Sequence, residues 1–271
     1  MASATTLFYR DRPGMRFLDS LGRKGSGILD TLGGMAELAG SAIAGAVRKP
    51  FYAQEILHQM DETGVRSLGI TNITALFTGA VLALQTAYSL AAFGGKLFIG
   101  RVVSLSLVRE LGPVLTSLMV GGRVGAGITA EIGSMAVTEQ VDALRAMGVS
   151  PVKRLVTPRL IAIVVMLPLL SALADLLGIL GGLAIAVWEL QMTASFYFNS
   201  IWNQLKIADI ASGLGKTVFF AFEIALIGCY NGLTVQGGAA AVGRATTRTV
   251  VVASISILVS DFFLTKLFLA L

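Results

Sequence analysis

Apolar and polar positions along this chain segregate on the scale of whole helices. Leu68 to Ala92 holds no charged residue, Arg159 to Trp188 holds only Asp175 after its first position, Ser212 to Leu233 contains Lys216 and Glu223, and Thr249 to Leu269 contains Asp261 and Lys266. Each reaches the roughly 20 mainly apolar residues that a helix rising about 1.5 Å per residue needs to cross hydrocarbon. Phe98 to Val120 is a fifth such stretch, with Arg101 near one end and the adjacent pair Arg109-Glu110 near its middle. The pattern predicts an all-α integral membrane protein with five transmembrane helices.

The first 67 residues read differently. Ile28, Leu32, Met35, Ala39, Ala42, Ile43 and Ala46 recur at helical spacing, while Asp30, Thr31, Glu37 and Ser41 take other faces. That predicts an amphipathic helix lying in the membrane interface, ended by Arg48-Lys49-Pro50. A second short helix, Phe51 to Met60, leads through Thr63-Gly64 into the first span. The first 15 residues lack the apolar core of a cleavable signal. The division is therefore 1–67 as cytoplasmic or interfacial helices and 68–271 as a five-helix membrane domain.

Composition agrees: 55% of residues are hydrophobic and 14% charged, against about 25% charged in soluble domains. The formal charge of +5 does not indicate nucleic acid, because the basic residues are scattered between apolar runs. They cluster instead in alternate connections: the N-terminal segment up to Arg66, the stretch from Arg123 to Arg159, and Arg244 with Arg248. Positive loops resist translocation, which places these segments and the N-terminus inside and the C-terminus outside.

Two nucleotide-like motifs fail on context. Gly215-Lys216-Thr217 has the tail of a phosphate-binding loop, but Ile210 stands where that loop needs glycine and the stretch opens an apolar helix. Gly125, Gly127 and Ala130 fit a dinucleotide pattern with no strand-helix-strand unit around them. His58 is the only histidine and Cys229 lies inside a span, so neither metal nor nucleophilic chemistry is expected. The chain is expected to be no enzyme and to hold no cofactor or metal.

Glu131 to Pro158 is the long inside connection. Thr138 is a candidate N-cap, Glu139 and Asp142 suit the first turn of a helix, Arg145 can pair with Asp142, and Gly148 and Pro151 end it. Val141, Leu144 and Met147 form an apolar stripe about three turns long, which either packs on the bundle or docks into a cytoplasmic partner.

Arg109, Glu110, Asp175, Glu223 and Asp261 lie within spans, where an ionised side chain costs roughly 2.5–3.5 kcal/mol at the centre and needs a cavity or partner. Adjacent helical residues point about 100° apart, so Arg109 and Glu110 should look to other helices. Pro113 deprives the Arg109 carbonyl of its donor and should kink the helix there. Arg109 and Lys216 are candidates for a lipid phosphate, Lys216 otherwise snorkelling to the interface. Glu110 and Asp261 are candidates for a buried polar network, and Asp175 and Glu223 for structural roles. Leu76, Phe77, Val81, Leu84 and Tyr88 are candidates for an apolar cavity wall. Gly121 with Gly125, Gly178 with Gly182, and Gly228 with Gly232 allow close helix approach, including at a dimer seam.

Longer motifs carry a resemblance. Leu107-Val108-Arg109-Glu110-Leu111-Gly112-Pro113-Val114, Gly122-Arg123-Val124-Gly125, Ala130-Glu131-Ile132-Gly133-Ser134-Met135 and Thr138-Glu139-Gln140-Val141-Asp142-Ala143-Leu144 occur in order, followed by Met147-Gly148-Val149-Ser150-Pro151, Leu167-Pro168-Leu169-Leu170, Asn231-Gly232 and Arg244-Ala245-Thr246-Thr247. From about residue 55 to 271 the chain resembles the MlaE/YrbE permeases, the membrane subunits of MCE-type ABC transporters.

The resemblance implies a homodimeric permease of five spans per chain with N-terminal elbow helices, in a bacterial inner membrane. It implies a separate ATP-binding subunit, which uses the ATP, docked on a coupling helix at about 131–150 that includes Glu131, Glu139, Asp142, Leu144, Arg145 and Met147. It further implies a STAS-domain subunit, a periplasmic hexamer of MCE domains, and phospholipid cargo moved between inner and outer membranes to maintain outer-membrane lipid asymmetry. Arg109, Glu110, Lys216 and Asp261 would lie near the translocation cavity. Two other classes remain open on the residues alone: an autonomous ion-coupled transporter, which would use the intramembrane carboxylates, and a non-transporting scaffold.

Overall fold

The computed structural model describes residues 13–47, 52–90 and 98–270, all of whose regular elements are helical. A long helix α1, Pro13–Val47, comes first. Helices α2, Ala53–Thr63, and α3, Leu68–Ser89, are joined by a 3-10 turn and make one run, Ala53–Ser89. The second run, Ile99–Val137, comprises α4, Ile99–Ser106, α5, Gly112–Val120, and α6, Ala126–Val137, linked by π-helical turns at Leu107–Leu111 and Gly121–Gly125. A short α7, Gln140–Ala146, precedes α8, Thr157–Trp188. Then come α9, Ala194–Trp202, α10, Ile207–Leu233, and α11, Ala239–Ala270. Five of these runs are long and apolar enough to cross a membrane. The expected break at Arg48-Lys49-Pro50 lies outside the described residues.

The second span is longer than the pattern of charges predicts. Its helix continues past Val120 through a glycine-rich stretch to Val137, so Glu131 belongs to this span's extension instead of to the loop. Burial explains the difference: Val124, Ile128 and Ile132 pack with Phe220, Ile224 and Ile257 in the main core, which outweighs the roughly 1 kcal/mol that each helical glycine costs.

Helix α8 is the hub, packing against α3, α10, α2 and α5. It meets α3 backbone to backbone, since a Cβ at Gly79 would overlap the Gly178 carbonyl. Gly228 likewise sits 3.1 Å, measured from where its Cβ would be, from the Gly125 carbonyl oxygen. The small-residue pairs thus close seams inside one chain. At the α6–α10–α11 seam, the Thr129 hydroxyl lies 3.0 Å from the Gly228 carbonyl and 2.8 Å from the Thr249 hydroxyl, which accepts a bond from the Asn231 amide at 2.9 Å.

A second core cluster gathers Ile99, Val103, Leu107 and Ala186 under α9, whose Tyr197 is buried and donates to the Ile179 carbonyl at 3.1 Å. Burial raises the pKa of that phenol. Helix α1 turns a face centred on Leu38 and Ala42 to the bundle, with Gly34 against Tyr230 and Gly45 against Thr157. Leu29, Leu32 and Ile43 point outward, so the inward face is rotated from the stripe expected through Leu32 and Ile43.

Candidate functional site

Arg109 and Glu110 sit in the π-helical turn Leu107–Leu111, immediately before Pro113 in the first turn of α5. Proline has no N–H, so the carbonyl one turn back, at Arg109, loses its usual donor. Lys216 of α10 fills the vacancy: its Nζ donates to the Arg109 carbonyl at 3.1 Å. The same ammonium reaches Glu110 Oε2 at 2.6 Å, Asp261 Oδ1 at 3.1 Å and Thr265 Oγ1 at 2.7 Å. Lys216 is only 2% exposed. With three N–H groups and four acceptors it is saturated, and it does not snorkel to the interface.

The Arg109 side chain goes elsewhere. Its Nε donates to Asp209 Oδ1 at 2.7 Å and Nη2 bonds the same oxygen, while the Lys206 backbone N–H donates to Oδ2 at 2.9 Å. Arg109 and Glu110 are therefore satisfied by different partners, as their angular separation requires. Two cations and three carboxylates join the second, fourth and fifth spans in one network. From the end of the bundle where α4 and α10 begin, Arg109 and Lys216 lie about 15 Å in along their helices.

The network has a buried floor and an open rim. Lys216 and Asp209 are buried, whereas the Glu110 and Arg109 side chains retain 38% and 44% of their exposure. A groove of about 380 Å³ runs past Arg109, Glu110, Ser212, Lys216 and Phe268. A second, of about 540 Å³, runs past Glu110, Asp261, Leu258, Phe262 and Thr265. Charged groups on one side and Leu258, Phe262 and Phe268 on the other make an amphipathic surface open to the bilayer or to another subunit.

Of the sequence-derived candidates, Arg109, Glu110, Lys216 and Asp261 come together. Leu76, Val81, Leu84 and Tyr88 line neither groove; α3 buries Thr71, Ala75, Gly79, Ala83 and Thr86 and leaves Leu76, Phe77, Val81 and Tyr88 exposed. Asp209 and Thr265 were missed. Asp209 reads locally as an ordinary first-turn carboxylate, and only the fold brings Arg109, a hundred residues earlier, against it.

Asp175 and Glu223 stand apart from the network. Asp175 is buried against Gly112, with Oδ1 unpartnered among the described residues. Glu223 accepts from the hydroxyls of Ser256, at 3.0 Å, and Ser260 on α11.

At the opposite end, α7 is two turns long instead of three. Thr138 does not cap it: its hydroxyl donates back to the Ser134 carbonyl at 2.8 Å and closes α6. The N-cap position falls on Glu139, whose left-handed φ of 60° turns the chain sharply. Asp142 and Arg145 pair at 2.7 Å in the open, and Gly148 takes the left-handed C-terminal position at φ 75°. Pro151 opens the next helical run. Val141 is buried, Leu144 half-buried and Met147 69% exposed, so the stripe anchors one side of α7 and presents its tip. Glu131 is not on this helix; it lies on α6 and pairs at 2.6 Å with Arg159, which is 2% exposed and also donates to the Leu155 carbonyl. Gly215-Lys216-Thr217 lies inside α10.

Comparison with known proteins adds the family. A family model described as Permease MlaE matches residues 56–267. A probable ABC transporter permease protein of Rickettsia felis is 41% identical over 254 residues, 94% of this chain and 98% of that protein. The intermembrane phospholipid transport system permease protein MlaE of Haemophilus influenzae is 38% identical over 260 residues, 93% of this chain and 97% of that one. The chloroplastic protein TRIGALACTOSYLDIACYLGLYCEROL 1 of Arabidopsis thaliana is 33% identical over 231 residues, 85% of this chain and 66% of that protein. With the family model matching most of the chain and relatives 38–41% identical over nearly their whole length, this multi-pass helical chain belongs to the MlaE permease family.

Proposed function

We propose that this chain is the non-enzymatic membrane subunit of an ABC transporter that moves phospholipid between the inner and outer membranes of a bacterium and so maintains outer-membrane lipid asymmetry. The observation that carries the reading is the 38% identity, over nearly all of both chains, to a permease named for intermembrane phospholipid transport. The physical support is the groove pair beside Lys216, where charge and apolar surface adjoin about 15 Å from one end of the bundle. A headgroup meets the rim at Arg109 and Glu110 while acyl chains follow Leu258, Phe262 and Phe268; Lys216 and Asp261 hold the rim in place.

In this reading two copies of the chain face one another and enclose the grooves. A separate ATP-binding subunit hydrolyses ATP and grips α7 through Leu144 and Met147, with Asp142 and Arg145 at its edge. The N-terminus and α7 lie in the cytoplasm, the C-terminus in the periplasm, and 1–67 forms elbow helices at the inner interface ahead of the 68–271 permease domain. A STAS-domain subunit and a periplasmic MCE-domain hexamer complete the assembly. Copurification and reconstitution test the core of this reading. The wild-type chain should bring down a nucleotide-binding subunit and, in proteoliposomes with it, transfer labelled phospholipid only with ATP; Leu144→Asp with Met147→Asp should lose the subunit. Transfer by the purified chain alone would refute the division of labour.

A further inference from the structure

A third groove, polar and of about 370 Å³, lies far from Lys216, between α2 and the second span. His58, Gln59, Glu62 and Thr63 form one wall, and Arg123, Gly127 and Glu131 line the other. Arg123, Gly127 and Glu131 are four residues apart, so they share one helix face, with a cation at one end, a carboxylate at the other and glycine between. A Cβ at Gly127 would meet nothing within 4 Å, so the space above it is open.

Arg123 is held but not neutralised. Its Nη1 donates to Ser67 Oγ at 2.8 Å and to the Glu62 carbonyl at 3.4 Å, both uncharged acceptors, and no carboxylate among the described residues is in ion-pair reach. Glu62 is taken by Arg66 at 2.7 Å and one oxygen of Glu131 by Arg159, leaving the other on a side chain that is 55% exposed. About 36 Å of helix separates Ile99 from Arg123, slightly more than the roughly 30 Å hydrocarbon thickness. The groove therefore opens at headgroup level, beside the Asp61, Glu62 and Arg66 cluster that precedes the apolar run from Leu68.

We infer that this groove binds a phosphodiester bearing an ammonium, the phosphoethanolamine headgroup of a phospholipid in the membrane leaflet on the α7 side. Arg123 meets the phosphate with its remaining N–H groups, and Glu131 with the mouth of the Glu62 wall meets the ammonium. The site lies outside the Lys216 network, at the other end of the bundle, and gives the permease a holding point for lipid in that leaflet. The inference rests on the reading of the chain as a lipid permease, but binding is measured apart from transport.

The test uses the full chain in proteoliposomes without ATP. The probe is a phosphatidylethanolamine carrying a photoreactive diazirine close to the glycerol, with adducts mapped by peptide mass spectrometry. Labelling is expected on α2 and α6 peptides and should fall about tenfold in Arg123→Gln, the loss of one charge-assisted contact. Gly127→Leu, which fills the groove and leaves every charge in place, should lower it similarly. A phosphatidylglycerol analogue, lacking the ammonium, should label several-fold less. Labelling unchanged in both variants, adducts confined to α10 and α11, or equal labelling by the two lipids would overturn the proposal. Labelling that excess soluble glycerophosphoethanolamine abolishes but excess unlabelled phosphatidylethanolamine leaves unchanged would identify a free phosphate ester, and not lipid, as the ligand. Labelling at this groove, together with no lipid transfer once the ATP-binding subunit and ATP are supplied, would instead defeat the transport reading and leave the site standing.

Discussion

Lys216 Nζ, from the fourth span, donates to the backbone carbonyl of Arg109 in the second, the carbonyl that Pro113 leaves without a partner. A helix defect and a buried cation thus satisfy each other, and the same ammonium carries Glu110, Asp261 and Thr265 with it.

Replacing Lys216 by Met should take the shared donor from all four acceptors, leaving Glu110 only the Thr265 hydroxyl and its exposed rim. Breaking a buried pair by removing one partner costs about 3–5 kcal/mol when both are buried, and the partial exposure of Glu110 puts this case at or below the lower bound. A fall in the melting temperature of the detergent-solubilised chain, with lipid transfer abolished, is the expected result. Lys216→Arg should not restore transfer, because a planar guanidinium cannot reproduce the compact ammonium's contacts. Wild-type stability in Lys216→Met would show that the network contributes nothing to holding the spans.

Pro113→Ala supplies the missing N–H. In the Lys216→Met background the new donor should satisfy the Arg109 carbonyl and recover about 1 kcal/mol, the usual net worth of a hydrogen bond. A double-mutant cycle on thermal or denaturant stability measures this. Strict additivity of the two substitutions would show that proline and lysine are uncoupled.

Arg109 joins stability to function, and the two can be separated. Arg109→Ala alone leaves Asp209 buried and short of its main partner, so stability and transfer should both drop. Adding Asp209→Ala removes the orphan and should recover most of the stability but none of the transfer. Recovery of transfer in the double variant would remove Arg109 from the lipid path.

The α3–α8 seam makes a sharp contrast between two glycines on one helix. Gly79→Ala drives a Cβ into the Gly178 carbonyl and should lower the melting temperature strongly, whereas Gly69→Ala meets nothing within 4 Å and should be neutral or gain up to about 1 kcal/mol from helix propensity. Comparable melting temperatures for the two variants would contradict the close backbone approach.

Much of this molecule is legible in one dimension. Membrane spans follow from local hydropathy, because a helix in hydrocarbon satisfies its own backbone and needs only an apolar exterior of sufficient length. The family motifs are likewise linear, and the intramembrane charges declare themselves by their cost. The extension of the second span beyond Val120 was not legible, because Gly121 to Gly127 reads as a break until Ile224 and Ile257 are packed against it. The cap of α7 was also misassigned, since Thr138 and Glu139 are both acceptable locally and the direction of the chain decides between them.

What the sequence alone determined is which groups are too polar to face lipid: Arg109, Glu110, Lys216 and Asp261 had to find partners. Which partners they found was decided only in three dimensions. Asp209 took Arg109, the Pro113 vacancy took Lys216, and Leu76, Val81, Leu84 and Tyr88 were left outside the grooves. Hydropathy is a property of each residue in turn, whereas a hydrogen bond between helices depends on their rotation and depth, which are set by the glycine seams and core packing of the whole bundle.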